Sequence, residues 1–253
     1  MKTLDLGKNC GLPILLKGTN IEFSGKIGST FPDIRTGQQM RPVLAFEHPE
    51  LPKEMYYMYR DLCRPEHRQK INAAGLRYDL TVIPPATIGK EYVKTFGHYH
   101  PTIPNTETFY PEVYEVIHGT AHYLLQNGVD CILVEAKEGE KAIMLPGYGH
   151  VTINPGKKTL VMANWVERNF KSIYEPIRNR KGAMYYEFTN GFRKNTNYEH
   201  IPKLRKIKPA KKIPEFGMEK GKPMYNIVKD LKKLEFLTKP QKYAAVFERL
   251  AEK

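Results

Sequence analysis

The sequence predicts an all-β chain with a short helical C-terminal extension, and three observations carry that expectation. Short runs rich in β-branched and aromatic residues recur at close intervals between Gly and Pro turns. Histidines and a carboxylate fall where an extended chain presents them together. After Asn190 the apolar spacing turns helical. Many short strands at regular spacing argue for a closed or sandwiched β architecture.

Taken in order, residues 1–40 are weakly patterned and read as a wrapping arm with short strands. Residues 41–190 are expected to form the barrel. Pro42 to Glu47 and Glu54 to Leu62 have strand character, and Arg64 to Gly75 reads as a short exposed helix ending at the glycine. Arg77 to Pro84 returns to strand, and Pro85 to Gly89 is turn chemistry. Strands are then expected over Tyr92–Gly97, Glu112–His118, Ala121–Gln126, Cys131–Glu135, Lys141–Leu145, His150–Asn154 and Leu160–Trp165, with Ala183–Phe188 as the last of the barrel. Residues 191–253 read as a basic connector followed by two short helices. Ile227, Leu231 and Leu234 mark the first, and Tyr243, Val246, Phe247 and Leu250 the second.

The run Thr95 to Gly119, TFGHYHPTIPNTETFYPEVYEVIHG, holds the most chemistry. In an extended strand residues i and i+2 share a face, so His98 and His100 emerge side by side, as do Glu112 and Tyr114. If Pro101 to Tyr110 is a turn, an antiparallel hairpin brings Glu112 to the histidines. Imidazoles with one carboxylate form a mixed N/O set suited to a first-row divalent metal such as Fe, Mn, Ni or Zn. A second run, MLPGYGHVTINPG from Met144 to Gly156, places a tight turn before His150, which supplies a fourth ligand from a later strand. His118 and His122 lie outside this pattern and read as surface or core histidines.

Together these runs resemble the two cupin motifs: H-x-H, a gap, E-x6-G, then P-x-G-x-x-H-x-x-x-N. The gap from His100 to Glu112 is longer than in most cupins, and the proline sits one place late, at Pro146. The run TxGHxHP…PEVYEVIxG closely resembles the archaeal-type cupin phosphoglucose isomerases over roughly residues 40–190. That resemblance implies a cupin double-stranded β-helix, a jelly-roll barrel, with one divalent metal ion per subunit on His98, His100, Glu112 and His150. It further implies interconversion of glucose 6-phosphate and fructose 6-phosphate, and a homodimer with an N-terminal strand exchanged between subunits. A catalytic role falls on Glu112, and Tyr114 on the same face can hydrogen-bond the enediol oxygens. Thr95 offers a hydroxyl, and Gly97 a backbone N–H that an anion can approach without a Cβ in the way. By local match the resemblance extends this phosphate pocket to Tyr56, Thr81 and Tyr174.

Composition bounds the alternatives. No apolar run is long enough to span a bilayer, and no signal peptide opens the chain, so a cytoplasmic protein is expected. Cys10, Cys63 and Cys131 are widely spaced and lack any C-x-x-C, which fits reduced thiols. The formal net charge of +13 invites a nucleic-acid reading. The excess is concentrated in Lys203 to Lys212, without interleaved aromatics, so a solvated connector is the better reading. A positive field also steers anionic sugar phosphates. Two rivals remain: another cupin enzyme, such as a metal-dependent dioxygenase or a different sugar-phosphate isomerase, and a non-catalytic ligand-sensing cupin. The complete ligand set and the phosphate-type residues ahead of His98 weigh against both.

Overall fold

The computed structural model describes residues 3–25, 27 and 31–252. The chain opens with a meander of β1 (Thr3–Asp5), β2 (Ile14–Lys17) and β3 (Asn20–Phe23), with α1 (Gly7–Cys10) between the first two. β4 (Asp33–Arg35) leaves that meander and joins the main sheet, followed by α2 (Gly37–Met40). Thr36 starts α2 with a capping box: its hydroxyl accepts the Gln39 N–H, and the Gln39 side chain accepts the Thr36 N–H.

Pro42 to Glu47, expected as a strand, is a 3-10 turn over Arg41–Val43 and then irregular chain. Pro42 suits the first turn of a helix, and the Ala45 N–H is taken by the Glu91 carboxylate at 2.8 Å in place of a ladder partner. β5 (Tyr56–Tyr59) follows, then α3 (Arg68–Ala73), which stops ahead of Gly75 at a φ of 68°. β6 (Leu76–Ile83) is as expected. The supposed turn after it contains β7 (Thr87–Ile88), which pairs with β8 (Glu91–Tyr92). Next come β9 (Glu112–His118), β10 (Thr120–Gln126), β11 (Cys131–Lys137), β12 (Lys141–Met144), β13 (Gly149–Ile153) and β14 (Leu160–Glu167). The chain continues through α4 (Glu175–Asn179), β15 (Tyr185–Phe188), β16 (Gly191–Lys194), β17 (Leu204–Ile207), β18 (Lys212–Ile213) and β19 (Met218–Glu219), and finishes in α5 (Ala244–Ala251).

Two sheets carry the architecture. One has the order β13-β10-β11-β17, the other β12-β9-β14-β6-β5-β4. They face each other across a core in which the Tyr114 and Tyr123 rings lie 5.4 Å apart and the Tyr123 hydroxyl meets the Met162 sulfur. β6, β9 and β14 are buried on nearly every residue, not on alternate ones. The C-terminal tail covers their outer face. Trp165 stacks on Tyr225 and donates its indole N–H to the Met224 carbonyl at 3.2 Å. Lys141, itself buried, pairs with Glu115 at 2.7 Å and donates to the carbonyls of Gly139, Glu219 and Lys222.

Several expectations change here. Tyr92–Gly97 is not a regular strand: after β8 the chain runs beside β13 through isolated bridges at Lys94 and His98. Nor does the His98 segment form a hairpin with β9. Residues 101–110 close a small hairpin of their own, bridged between Thr102 and Phe109, and the chain then crosses to the opposite sheet. β15 is not the last strand, because β16 pairs with it and β17 adds to β11 in parallel. The basic run read as a solvated connector is therefore partly strand, and its charges find acids: Arg205 pairs with Asp130 at 2.6 Å and Lys206 with Glu135 at 2.6 Å. Of the two expected C-terminal helices, residues 224–237 are 3-10 turns interrupted at Asp230, and the second becomes α-helical only at Ala244. The three cysteines are free and buried, and burial pushes the Cys10 and Cys131 thiols up to about 12.

Candidate metal and anion site

One cavity between the two sheets, about 720 Å³ of atom-free space with its mouth included, is lined by every residue that the sequence nominated. His98, His100, Glu112, Tyr114 and His150 line it together with Tyr56, Thr81, Thr95, Gly97 and Tyr174.

Strand pairing explains the convergence. His98 and His150 are bridge partners, exchanging N–H···O bonds of 3.2 and 3.0 Å, so their side chains leave one sheet from the same place. Glu112 starts β9 in the facing sheet. The ligand atoms of His98, His100, Glu112 and His150 all lie within 4.8 Å of one another. The Nε2 atoms of His98 and His100 are 3.1 Å apart, and Glu112 Oε2 stands 3.4 and 3.3 Å from Nε2 of His100 and His150.

Surrounding groups aim these atoms. His100 Nδ1 lies 3.0 Å from the Tyr110 carbonyl, which assigns it the proton and leaves the Nε2 lone pair facing inward. Asn164 donates its amide to Glu112 Oε1 at 2.6 Å. Phe170 packs on the His100 ring, with centroids 4.4 Å apart. Burial and the neighbouring imidazoles hold His98 well below the usual histidine range, and burial lowers His150 against the pull of Glu112. Burial alone would raise the Glu112 carboxyl, but the facing His100 and His150 more than offset it and hold it far below the carboxylate range. Glu112 Oε2 and His150 Nε2 are buried with no hydrogen-bond partner among the described residues. Neutral imidazoles, an ionised carboxylate and unsatisfied buried acceptors converging on one point fit a first-row divalent cation.

Donors crowd the other end. Tyr56 accepts the Phe96 N–H at 3.2 Å, and Thr95 Oγ1 accepts the Thr152 N–H at 2.9 Å, so each keeps its own proton to give. The Gly97 N–H and the hydroxyls of Thr81 and Tyr174 have no hydrogen-bond partner among the described residues. Gly97 has a φ of 83°, and a Cβ there would stand 2.4 Å from Val151 Cγ2, so both conformation and packing demand glycine. A third patch was not foreseen from the sequence. Asp79, buried, accepts from Arg77 Nε at 2.9 and 3.0 Å and lies 3.5 Å from Arg60, and all three line the cavity. Asn164, Phe170 and Arg35 were also missed. For Asn164 the signal was available, since a lone amide inside an apolar strand has to find a buried partner.

A jelly-roll barrel of two facing sheets, with this histidine–glutamate group between them, is a cupin. A family model described as glucose-6-phosphate isomerase matches residues 34–203, and the chain belongs to that family. The glucose-6-phosphate isomerase of Thermococcus litoralis is 31% identical over 94 residues, which is 37% of this chain and 47% of that one. The match thus spans about half the length of the curated relative. Among solved structures, an oxalate oxidase in complex with the substrate analogue glycolate is similar at 15% identity, with a TM-score of 0.36, over 48% of this chain and 56% of that one. A single-substitution variant of the Bacillus subtilis oxalate decarboxylase is similar at 15% identity and a TM-score of 0.31, over 47% and 26% of the two chains.

Proposed function

We propose that this chain interconverts glucose 6-phosphate and fructose 6-phosphate with one bound divalent metal. The observation that carries the reading is that a single cavity, inside the segment matched to the isomerase family, holds a cation-type cluster at one end and an anion-type pocket at the other. His98, His100, Glu112 and His150 would hold the metal, which when bound supplies Lewis-acid polarisation of the sugar oxygens. Tyr56, Thr81, Thr95, Gly97 and Tyr174 would hold the phosphate.

Glu112 carries two roles in this reading, ligand and base for the proton moved between C1 and C2. Asn164 occupies Oε1, which leaves Oε2 as the free oxygen. The Tyr114 hydroxyl is raised well above the usual phenol range by burial and then by the Glu112 charge, so it stays protonated and can donate to a developing oxyanion. Thr81 and Tyr114 belong to β6 and β9 of one sheet, whereas Thr95 and Gly97 come from the segment beside β13 of the other, so a sugar phosphate would lie between the two sheets. No helix among the described residues is long and apolar enough to cross a membrane, consistent with the cytoplasmic setting proposed with this activity. The homodimer, and the division into arm, barrel and tail at residues 40 and 190, belong to the same proposal. Light scattering tests the first, and limited proteolysis the second.

The deciding assay is conversion of fructose 6-phosphate on metal-stripped protein, then with Fe, Mn, Ni or Zn restored, beside Glu112→Gln. Metal-dependent turnover that drops about 10²–10⁴-fold in the variant supports the reading. Absence of turnover with every metal, in folded and loaded protein, refutes it.

A further inference from the structure

Arg35 stands behind three aromatic rings of the cavity wall and does not itself line the cavity, and it lies in the segment whose sequence says least. β4 pairs with β5 so that Arg35 stands opposite Tyr56. Its guanidinium lies 5.9, 5.6 and 5.8 Å from the ring centroids of Tyr56, Phe96 and Tyr174, and all three rings line the cavity. No carboxylate lies within ion-pair distance of it among the described residues, and its Nε is buried without a hydrogen-bond partner. The arginines that line the cavity are committed, Arg60 to Asp33 and Asp79 and Arg77 to Asp79, whereas Arg178, 5.8 Å from the Phe96 ring, is exposed to solvent.

A partly buried guanidinium without an acid is out of balance. On the cavity side of those rings, the Gly97 N–H and the hydroxyls of Thr95, Thr81, Tyr56 and Tyr174 offer protons, and the Asp79 carboxylate on the same wall is already taken by Arg60 and Arg77. Burial pushes the Tyr56 hydroxyl up while the Arg35 charge pulls it back, so the cation acts on a group that faces the cavity. A phosphate monoester supplies what this set lacks, two negative charges and several acceptor oxygens. We propose that Arg35 is the counter-charge for the substrate's phosphate, a substrate-positioning residue held flat by the Tyr56, Phe96 and Tyr174 rings, and that it sets the preference for phosphorylated over free sugars. This rests on the isomerase reading for the substrate's identity. The anion site itself does not need it.

The test uses the full-length protein with inorganic phosphate as probe, read by titration calorimetry, and fructose 6-phosphate in the kinetic assay. Arg35→Gln removes the charge, Arg35→Met keeps bulk against the rings, and Arg35→Lys restores a cation. Phosphate affinity is expected to fall about 10-fold or more in the Gln and Met variants and to recover partly in Lys. The loss in turnover should fall on KM more than on kcat, and wild-type phosphate binding should weaken with salt more steeply than that of the Gln variant. Variants that melt as the wild type does and bind phosphate as tightly overturn the proposal, whatever the isomerase assay shows. Tight phosphate binding lost in Arg35→Gln, in a protein that turns over no sugar phosphate, upholds the anion site and refutes only the isomerase reading.

Discussion

At one end of the cavity His98, His100, Glu112 and His150 turn lone pairs toward a common point. At the other, Gly97, Thr95, Thr81, Tyr56 and Tyr174 line the wall with protons left to give. The first end is rigid because ligands are tied from behind, His100 by the Tyr110 carbonyl and Glu112 by the Asn164 amide. The second is held by packing: rings around Arg35, and a glycine pressed against Val151. The contrast teaches that a cation end needs its ligands oriented by hydrogen bonds, since the donor atoms repel one another until the ion arrives. An anion end needs donors with spare protons and a counter-charge behind them.

Four substitutions break or sharpen that contrast. His150→Ala takes a ligand from the first end, and the loss in affinity for a divalent metal should exceed that of Asn164→Ala, which only frees Glu112 to turn and is expected to weaken binding about 10–100-fold. Metal titration ranks the two, and an Asn164→Ala protein that binds as the wild type does would show that Glu112 needs no holding. Thr81→Val acts at the second end. Its hydroxyl has no partner among the described residues, so phosphate affinity should drop about 10-fold with metal affinity untouched. A drop in both affinities would mean that the ends are one site. Gly97→Ala is the smallest in function and shows mainly in stability. The 2.4 Å approach to Val151 and the positive φ should lower stability by about 1–3 kcal/mol, read as a lower Tm.

Much of this was legible in the sequence because it is local. β6 and β9–β14 lie where β-branched and aromatic runs between Gly/Pro turns put them, and H-x-H, Glu112 and His150 declared their spacing. What failed depended on partners. Tyr92–Gly97 has strand composition, yet Gly97 breaks its ladder at the point where the cavity needs an open N–H. The hairpin expected between His98 and Glu112 was the simplest way to join them, but residues 101–110 use their hydrogen bonds internally and deliver Glu112 to the opposite sheet. The four side chains do converge, but by a different route. Arg35 was invisible because nothing in its neighbours along the chain signals three aromatic rings brought from residues 56, 96 and 174. The basic run differs from its reading for a related reason: Arg205 and Lys206, which look solvated along the chain, find Asp130 and Glu135 once β17 docks.

That docking has a consequence for synthesis. β17 pairs with β11 in parallel, and the Lys141 ammonium waits for the carbonyls of Glu219 and Lys222. A nascent chain that has already presented every ligand of the cavity still carries β11 as a bare edge and Lys141 with only part of its bonds. The ribosome must release residues beyond 222 before both are covered. Slowing translation across the basic run should therefore prolong the aggregation-prone interval, even though no residue there touches the cavity.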